Sequence, residues 1–138
     1  MKGEHELHEW TNTTNGEKII YKDLSFKIME AVFEVHNTLG PGYSENIYEE
    51  SLVKEFKDRG INYERQKMIE VYYKGEKMGE YRLDMVVEGK IILELKAVLE
   101  LNKVFESQLI SYLKATGMRL GILINFGSQR VEYKRMAN

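Results

Sequence analysis

A chain of 138 residues, 43% hydrophobic and 30% charged, has room for one domain with a modest core, and that balance excludes a disordered polymer. A net charge of −2 excludes a protein drawn to nucleic acid by its overall field, though not one with a local basic rim. The absence of cysteine excludes disulfides and thiolate metal sites, and no apolar run approaches the roughly 20 residues of a membrane span.

Residues 1–21 mix charge, Thr, Asn and Gly without periodicity and read as a flexible N-terminal tail, leaving 22–138 as a single domain. The opening MKGEHELHEW has no signal-peptide core, so the expected location is cytoplasmic, with no membrane partner. His5 and His8 stand among Glu4, Glu6 and Glu9, which at a terminus reads as a solvated cluster before it reads as a metal site; Trp10 could pin the tail to the body.

A helix is predicted from Asp23 to Leu39, capped by Asp23 or Ser25, with Leu24, Ile28, Ala31, Val32 and Val35 at helical spacing. Gly40-Pro41-Gly42 stops it, and His36 in its last turn suits the helix dipole. A second helix runs from Ser44 to Arg59, with Ser44 as N-cap and Gly60 as stop. Glu45 and Tyr48 share a face of its first turn, where Glu45 also complements the dipole and Tyr48 could be a half-buried aromatic.

Three strands follow: Ile61 to Tyr73, Met78 to Val87 and Ile91 to Val98, joined by turns at Lys74–Lys77 and Glu88–Lys90. Two consecutive short turns imply an antiparallel meander. Asn102 to Thr116 is a third helix ended by Gly117, and the apolar run Leu120 to Phe126 is a central strand buried on both faces. Val131 to Met136 alternates as an edge strand. The strand-helix-strand order of the last part predicts a β-α-β crossover. The fold class is therefore α/β, a mixed central sheet flanked by helices.

Candidate chemistry lies on the second hairpin. Alternation puts Ile91, Leu93, Leu95 and Ala97 on one face and Ile92, Glu94, Lys96 and Val98 on the other, so Glu94 and Lys96 are about 6–7 Å apart along the strand. A two-residue loop at Glu88-Gly89 would put Asp84 on the opposite face from Glu94. A three-residue loop ending at Gly89 pairs Asp84 with Ile92 and makes Asp84 and Glu94 diagonal neighbours, with Tyr81, Leu83 and Met85 on the face of Leu93 and Leu95. We expect that loop, since its last residue needs the positive φ that Gly supplies. Two converging carboxylates suit Mg²⁺ or Mn²⁺, and Lys96 could orient a water or balance charge. On the hairpin alone, a charged sheet face with Lys96 bridging the acids fits as well.

Asp84 followed by Glu94-Leu95-Lys96 resembles the signature of PD-(D/E)XK nucleases, with Leu83 where Pro is usual. Gly42-Tyr43-Ser44-Glu45-Asn46-Ile47-Tyr48 resembles the motif that names the GxxExxY family, a branch of that superfamily, and Gln108-Leu109-Ile110-Ser111-Tyr112 resembles the QxxxY motif of RecB-like members. Together they cover about residues 22–136. The resemblance implies a restriction-endonuclease-like core. It also implies that Asp84, Glu94, Glu45 and the Leu95 carbonyl hold Mg²⁺ or Mn²⁺, that Lys96 and Gln108 join the catalytic set, and that Tyr48 and Tyr112 line the cleft.

Two functions are carried forward. One is a metal-dependent nuclease that hydrolyses phosphodiester bonds, in DNA sooner than RNA. The other is a non-catalytic nucleic-acid- or protein-interaction module on the same fold, with an unidentified protein partner. Lys103, Lys114, Arg119, Arg130, Lys134 and Arg135 could form a basic rim, and the edge strands could support a homodimer.

Overall fold

The computed structural model describes residues 19–138, so the His5 and His8 cluster, Trp10 and most of the expected tail lie outside the described residues. The element order is α1 (Lys22–Leu39), α2 (Glu45–Arg59), β1 (Tyr63–Tyr73), β2 (Glu76–Val87), β3 (Ile91–Lys96), α3 (Lys103–Thr116), β4 (Leu120–Asn125) and β5 (Glu132–Ala137). The strands form one sheet in the order β1-β2-β3-β4-β5. All neighbours are antiparallel except β3 and β4, which run parallel around α3 as a crossover requires. No helix among the described residues is long and apolar enough to cross a membrane.

The apolar pattern divides the core into two layers. Ile28, Val32, Leu52 and Phe56 of α1 and α2 meet Ile91, Leu93, Leu95, Ile122 and Ile124 on one sheet face. Leu109 and Leu113 of α3 meet Ile69, Val86, Ile92 and Leu123 on the other. Strand β4 is buried along its whole length, as its unbroken apolar run demands, and it lies between β3 and the edge strand β5. Gly121 lets α3 come close, because a Cβ there would sit 2.6 Å from Leu109 Cδ1.

One local detail differs from the sequence reading, and His36, in the last turn as expected, gains a role. Helix α1 is capped by neither Asp23 nor Ser25: Tyr21 holds the N-cap in a left-handed conformation, Asp23 sits in the first turn, and Ser25 is buried. His36 is a tether, its Nε2 donating to the Ser128 carbonyl at 2.9 Å while the ring stacks toward Phe126.

The segment after β3 is clamped by Asn125, which is fully buried. Its Oδ1 accepts from the Val98 and Gly127 amides, and its Nδ2 donates to the Val98 carbonyl and to Glu132. A Cβ at Gly127 would fall 2.4 Å from the Val98 backbone, so only glycine allows this approach. Asn125→Ala strands these groups without partners, and we expect a loss of about 2–4 kcal/mol in denaturant unfolding. A loss under about 0.5 kcal/mol would contradict the clamp.

Candidate active site

The β2–β3 hairpin has a three-residue loop, Glu88, Gly89 and Lys90, one residue later than expected. The ladder pairs Val87 with Ile91, Val86 with Ile92 and Met85 with Leu93. Glu88 and Gly89 both have positive φ, and the Lys90 amide donates to the Val87 carbonyl. Extending this register by one step sets Asp84 opposite Glu94 itself, not opposite Ile92. The two acids meet just beyond the last ladder pair, Met85 with Leu93, where the Asp84 amide reaches the Glu94 carboxylate.

At that point the carboxylates take over the role of the ladder. The Asp84 amide donates to Glu94 Oε1 at 3.3 Å, and the Leu95 amide donates to Asp84 Oδ2 at 2.8 Å. The main chain of Leu95 thus meets Asp84 through its N–H. Lys96 does not bridge the acids; its ammonium lies over the Phe105 ring, 4.6 Å from the centroid. From there its charge still lowers both carboxyl pKa values.

The expected facing of Tyr81, Leu83 and Met85 is corrected. Met85 does pack with Leu93 and Leu95 under α1 and α2. Leu83 packs on the α3 face, and Tyr81 meets the Tyr112 ring at 5.3 Å. Alternation therefore slips by one residue at Asp84. Strand β1 slips beside it. Tyr63 and Arg65 face the α1/α2 layer, the first packed against its core and the second through Glu49, while Ile69 faces α3. Between them Gln66 has φ 51, and the ladder pairs Arg65 with Met85 and Lys67 with Leu83 but skips Gln66 and Asp84.

Burial is the main electrostatic fact here. Only 7% of Glu94 is exposed. That burial, reinforced by the charge of Asp84, pushes its carboxyl up to about 8. Asp84 is also raised by burial, against the lowering effects of the Leu95 amide and Lys96. Glu45 opens α2 at the surface; partial burial and then the Asp84 charge raise its pKa, and Lys96 lowers it. Tyr112 is raised by burial and by the Glu94 charge.

Tyr48, Gln108 and the basic rim complete the expected site residues. Tyr48 does not line a cleft: it is fully buried, stacked on Phe126 at 4.7 Å, and its hydroxyl donates to the Gly40 carbonyl at 2.5 Å. It braces the Gly40-Pro41-Gly42 loop that delivers Glu45. Gln108 is exposed one turn before Tyr112. Of the expected basic rim, Lys134 pairs with Glu106 at 3.5 Å and Arg135 donates to the Ile20 carbonyl at 2.6 Å, so these two serve the fold.

Sequence reasoning missed Glu49, which is 8% exposed. It accepts from Arg65 Nε and Nη2 at 3.1 and 2.7 Å and from Gln66 Nε2 at 2.9 Å. Its position four residues after Glu45, on the same helix face, was the available signal.

Among the described residues no group of three or more acids and histidines is spaced to hold a metal ion. The assembled donors are the Asp84–Glu94 pair, with Glu45 within electrostatic reach. Their chemistry fits a hard divalent cation: two carboxyls buried together without a contacting cation hold on to a proton that a metal would displace.

The sequence pattern of the PD-(D/E)XK nuclease superfamily matches residues 22–136. The chain belongs to this superfamily. The mixed five-stranded sheet with its three helices is consistent with the restriction-endonuclease-like PD-(D/E)XK fold. Among solved structures, the crystal structure of SSO0001 is similar, with a TM-score of 0.53 and 18% identity, over 99% of this chain and 75% of that one. At that identity the likeness shows a shared fold. No curated protein matches the chain.

The burial of Glu94 in this PD-(D/E)XK domain has a measurable consequence. Between the ordinary value of 4.5 and about 8 the folded chain holds a proton that the unfolded chain releases. Metal-free stability is thus fully present below that window and falls as pH rises through it. Glu94→Gln should lessen the fall, leaving the smaller share that Asp84 contributes, and exceed the wild type near pH 9 by on the order of 1–3 kcal/mol in urea unfolding. Parallel pH profiles for the two proteins would refute the buried proton.

Proposed function

We propose that the protein is a Mg²⁺- or Mn²⁺-dependent nuclease that hydrolyses phosphodiester bonds, in DNA sooner than in RNA. The observation that carries this reading is the Asp84–Glu94 pair, with each carboxylate bonded to a backbone amide of the facing strand and Lys96 two residues further on. Asp84 and Glu94 would hold the cation, with Glu45 reaching it from α2 and the Leu95 carbonyl as a further oxygen. When bound, the metal would polarise the scissile phosphate and lower the pKa of a coordinated water.

The chain's own residues supply the rest. Lys96 carries a positive charge beside the acids, suited to balancing charge that builds on the phosphate oxygens. Its ammonium is steadied by the Phe105 ring, which limits where that charge can go. Tyr112, whose pKa the Glu94 charge raises, would offer its hydroxyl as a donor to substrate, with Gln108 on the exposed turn before it. Within the superfamily we place the protein in the GxxExxY branch, on Gly42, Glu45 and Tyr48. In that motif Tyr48 braces the loop and Glu45 serves the site.

Mn²⁺ titration followed by cleavage assays on single- and double-stranded DNA and RNA tests the proposal. The wild type should bind Mn²⁺ more tightly as pH rises through about 8, because binding must release the Glu94 proton. Glu94→Ala should weaken binding at least about tenfold, and Lys96→Met should keep the metal while cleavage drops about 10²-fold or more. A wild type that binds no Mn²⁺ overturns the nuclease reading. Metal binding with no cleavage of any of these substrates leaves the interaction module.

A further inference from the structure

The double slip in β1 and β2 has no role in the chemistry above, yet it lies beside Asp84. Four non-glycine residues among those described have positive φ: Tyr21 at a helix start, Lys74 and Glu88 in hairpin turns, and Gln66 inside a strand. The left-handed region is disfavoured for a side chain such as Gln, so something must hold Gln66 there. That partner is Glu49. Its Oε1 accepts from Gln66 Nε2, and its Oε2 is fixed by Arg65, which also contacts Glu50.

The ladder skips Gln66 and Asp84 together, so the strands slip in step and the pairing register on either side is unchanged. With its amide on Glu94 and its carboxylate on the Leu95 amide, Asp84 occupies the break. Glu45 and Glu49 are one turn apart on α2, so the helix that brings Glu45 toward the acids also holds the break open.

We propose that Gln66, pinned in its left-handed conformation by Glu49, is a positioning residue that keeps Asp84 lodged between Glu94 and the Leu95 amide. Its importance for catalysis rests on the nuclease reading, but its structural effect can be measured without metal. Straightened strands would return Asp84 to regular pairing and take its carboxylate from Leu95.

Amide hydrogen exchange of Leu95 in the metal-free protein, read against Leu93 in the same strand, is the direct test. Asp84→Ala calibrates the unprotected rate. Gln66→Val disfavours the left-handed conformation and removes the contact to Glu49, and should raise Leu95 exchange at least about tenfold toward that rate with Leu93 unchanged. Gln66→Gly reaches the same φ without strain and should stay within about threefold of the wild type. Glu49→Ala should behave like Gln66→Val, and adding Gln66→Gly to it should restore protection. If Gln66→Val does not fold, Glu49→Ala and its double variant carry the comparison.

Unchanged Leu95 protection in Gln66→Val or Glu49→Ala overturns the proposal, as does an equal loss in Gln66→Gly. Mn²⁺ affinity then separates the two ideas. If the wild type binds Mn²⁺, the unprotected variants should bind it about tenfold more weakly with the glycine rescue intact, and equal affinity in all overturns the positioning role. If the wild type binds none, the nuclease reading fails while the exchange data still decide whether Gln66 places Asp84.

Discussion

Two backbone amides, those of Asp84 and Leu95, decide how the centre of this protein is built. In an uninterrupted sheet each would find a carbonyl on the neighbouring strand, as buried amides must find some partner. Here the partners are the carboxyls of Glu94 and Asp84. The acids are therefore structural members of the hairpin, and their closeness is imposed by the backbone. Because they are buried as well, one of them keeps a proton far above the ordinary carboxyl range. A site strained electrostatically in this way is suited to receiving a cation, since neutralisation would relieve both desolvation and repulsion.

The elements around the pair supply rigidity from behind. Phe126 follows β4 and donates its amide to the Lys96 carbonyl, while its ring receives Tyr48 of α2. Asn125, one residue earlier, ties down the chain leaving β3. The ends of β3 and β4 and the start of α2 are thus locked to one another where Glu45, Glu94 and Lys96 emerge. This convergence follows from the parallel β3–β4 pair, which brings both strand ends to the same side of the sheet.

Much of the architecture was legible in the sequence because hydrophobic periodicity is a strong signal. The three helices, the meander, the buried run of β4 and the helical crossover follow from it directly. The hairpin was legible to within one residue. Gly89 was expected to end the loop, but Glu88 also takes a positive φ, which nothing in a glutamate announces. The slip at Asp84 was hidden for the same reason, since Gln66 carries no mark of a left-handed strand residue. Tyr48 looked like a cleft residue because its burial depends on Phe126, a contact far away in sequence. Alternation sets Glu94 and Lys96 on one face of β3, whereas Asp84 sits where alternation breaks and Glu49 becomes meaningful only once α2 is packed against β1.

The paired slip also determines which way the outer part of the β1–β2 ribbon faces. Ile69, Tyr81 and Leu83 meet α3 because alternation reverses at Gln66 and Asp84. Had both strands continued regularly, those apolar side chains would face the opposite side and leave Leu109 and Leu113 short of neighbours. A substitution that ironed out the break would thus expose hydrophobic surface as well as move an acid. The packing of α3 on the sheet and the position of Asp84 therefore depend on the same irregularity.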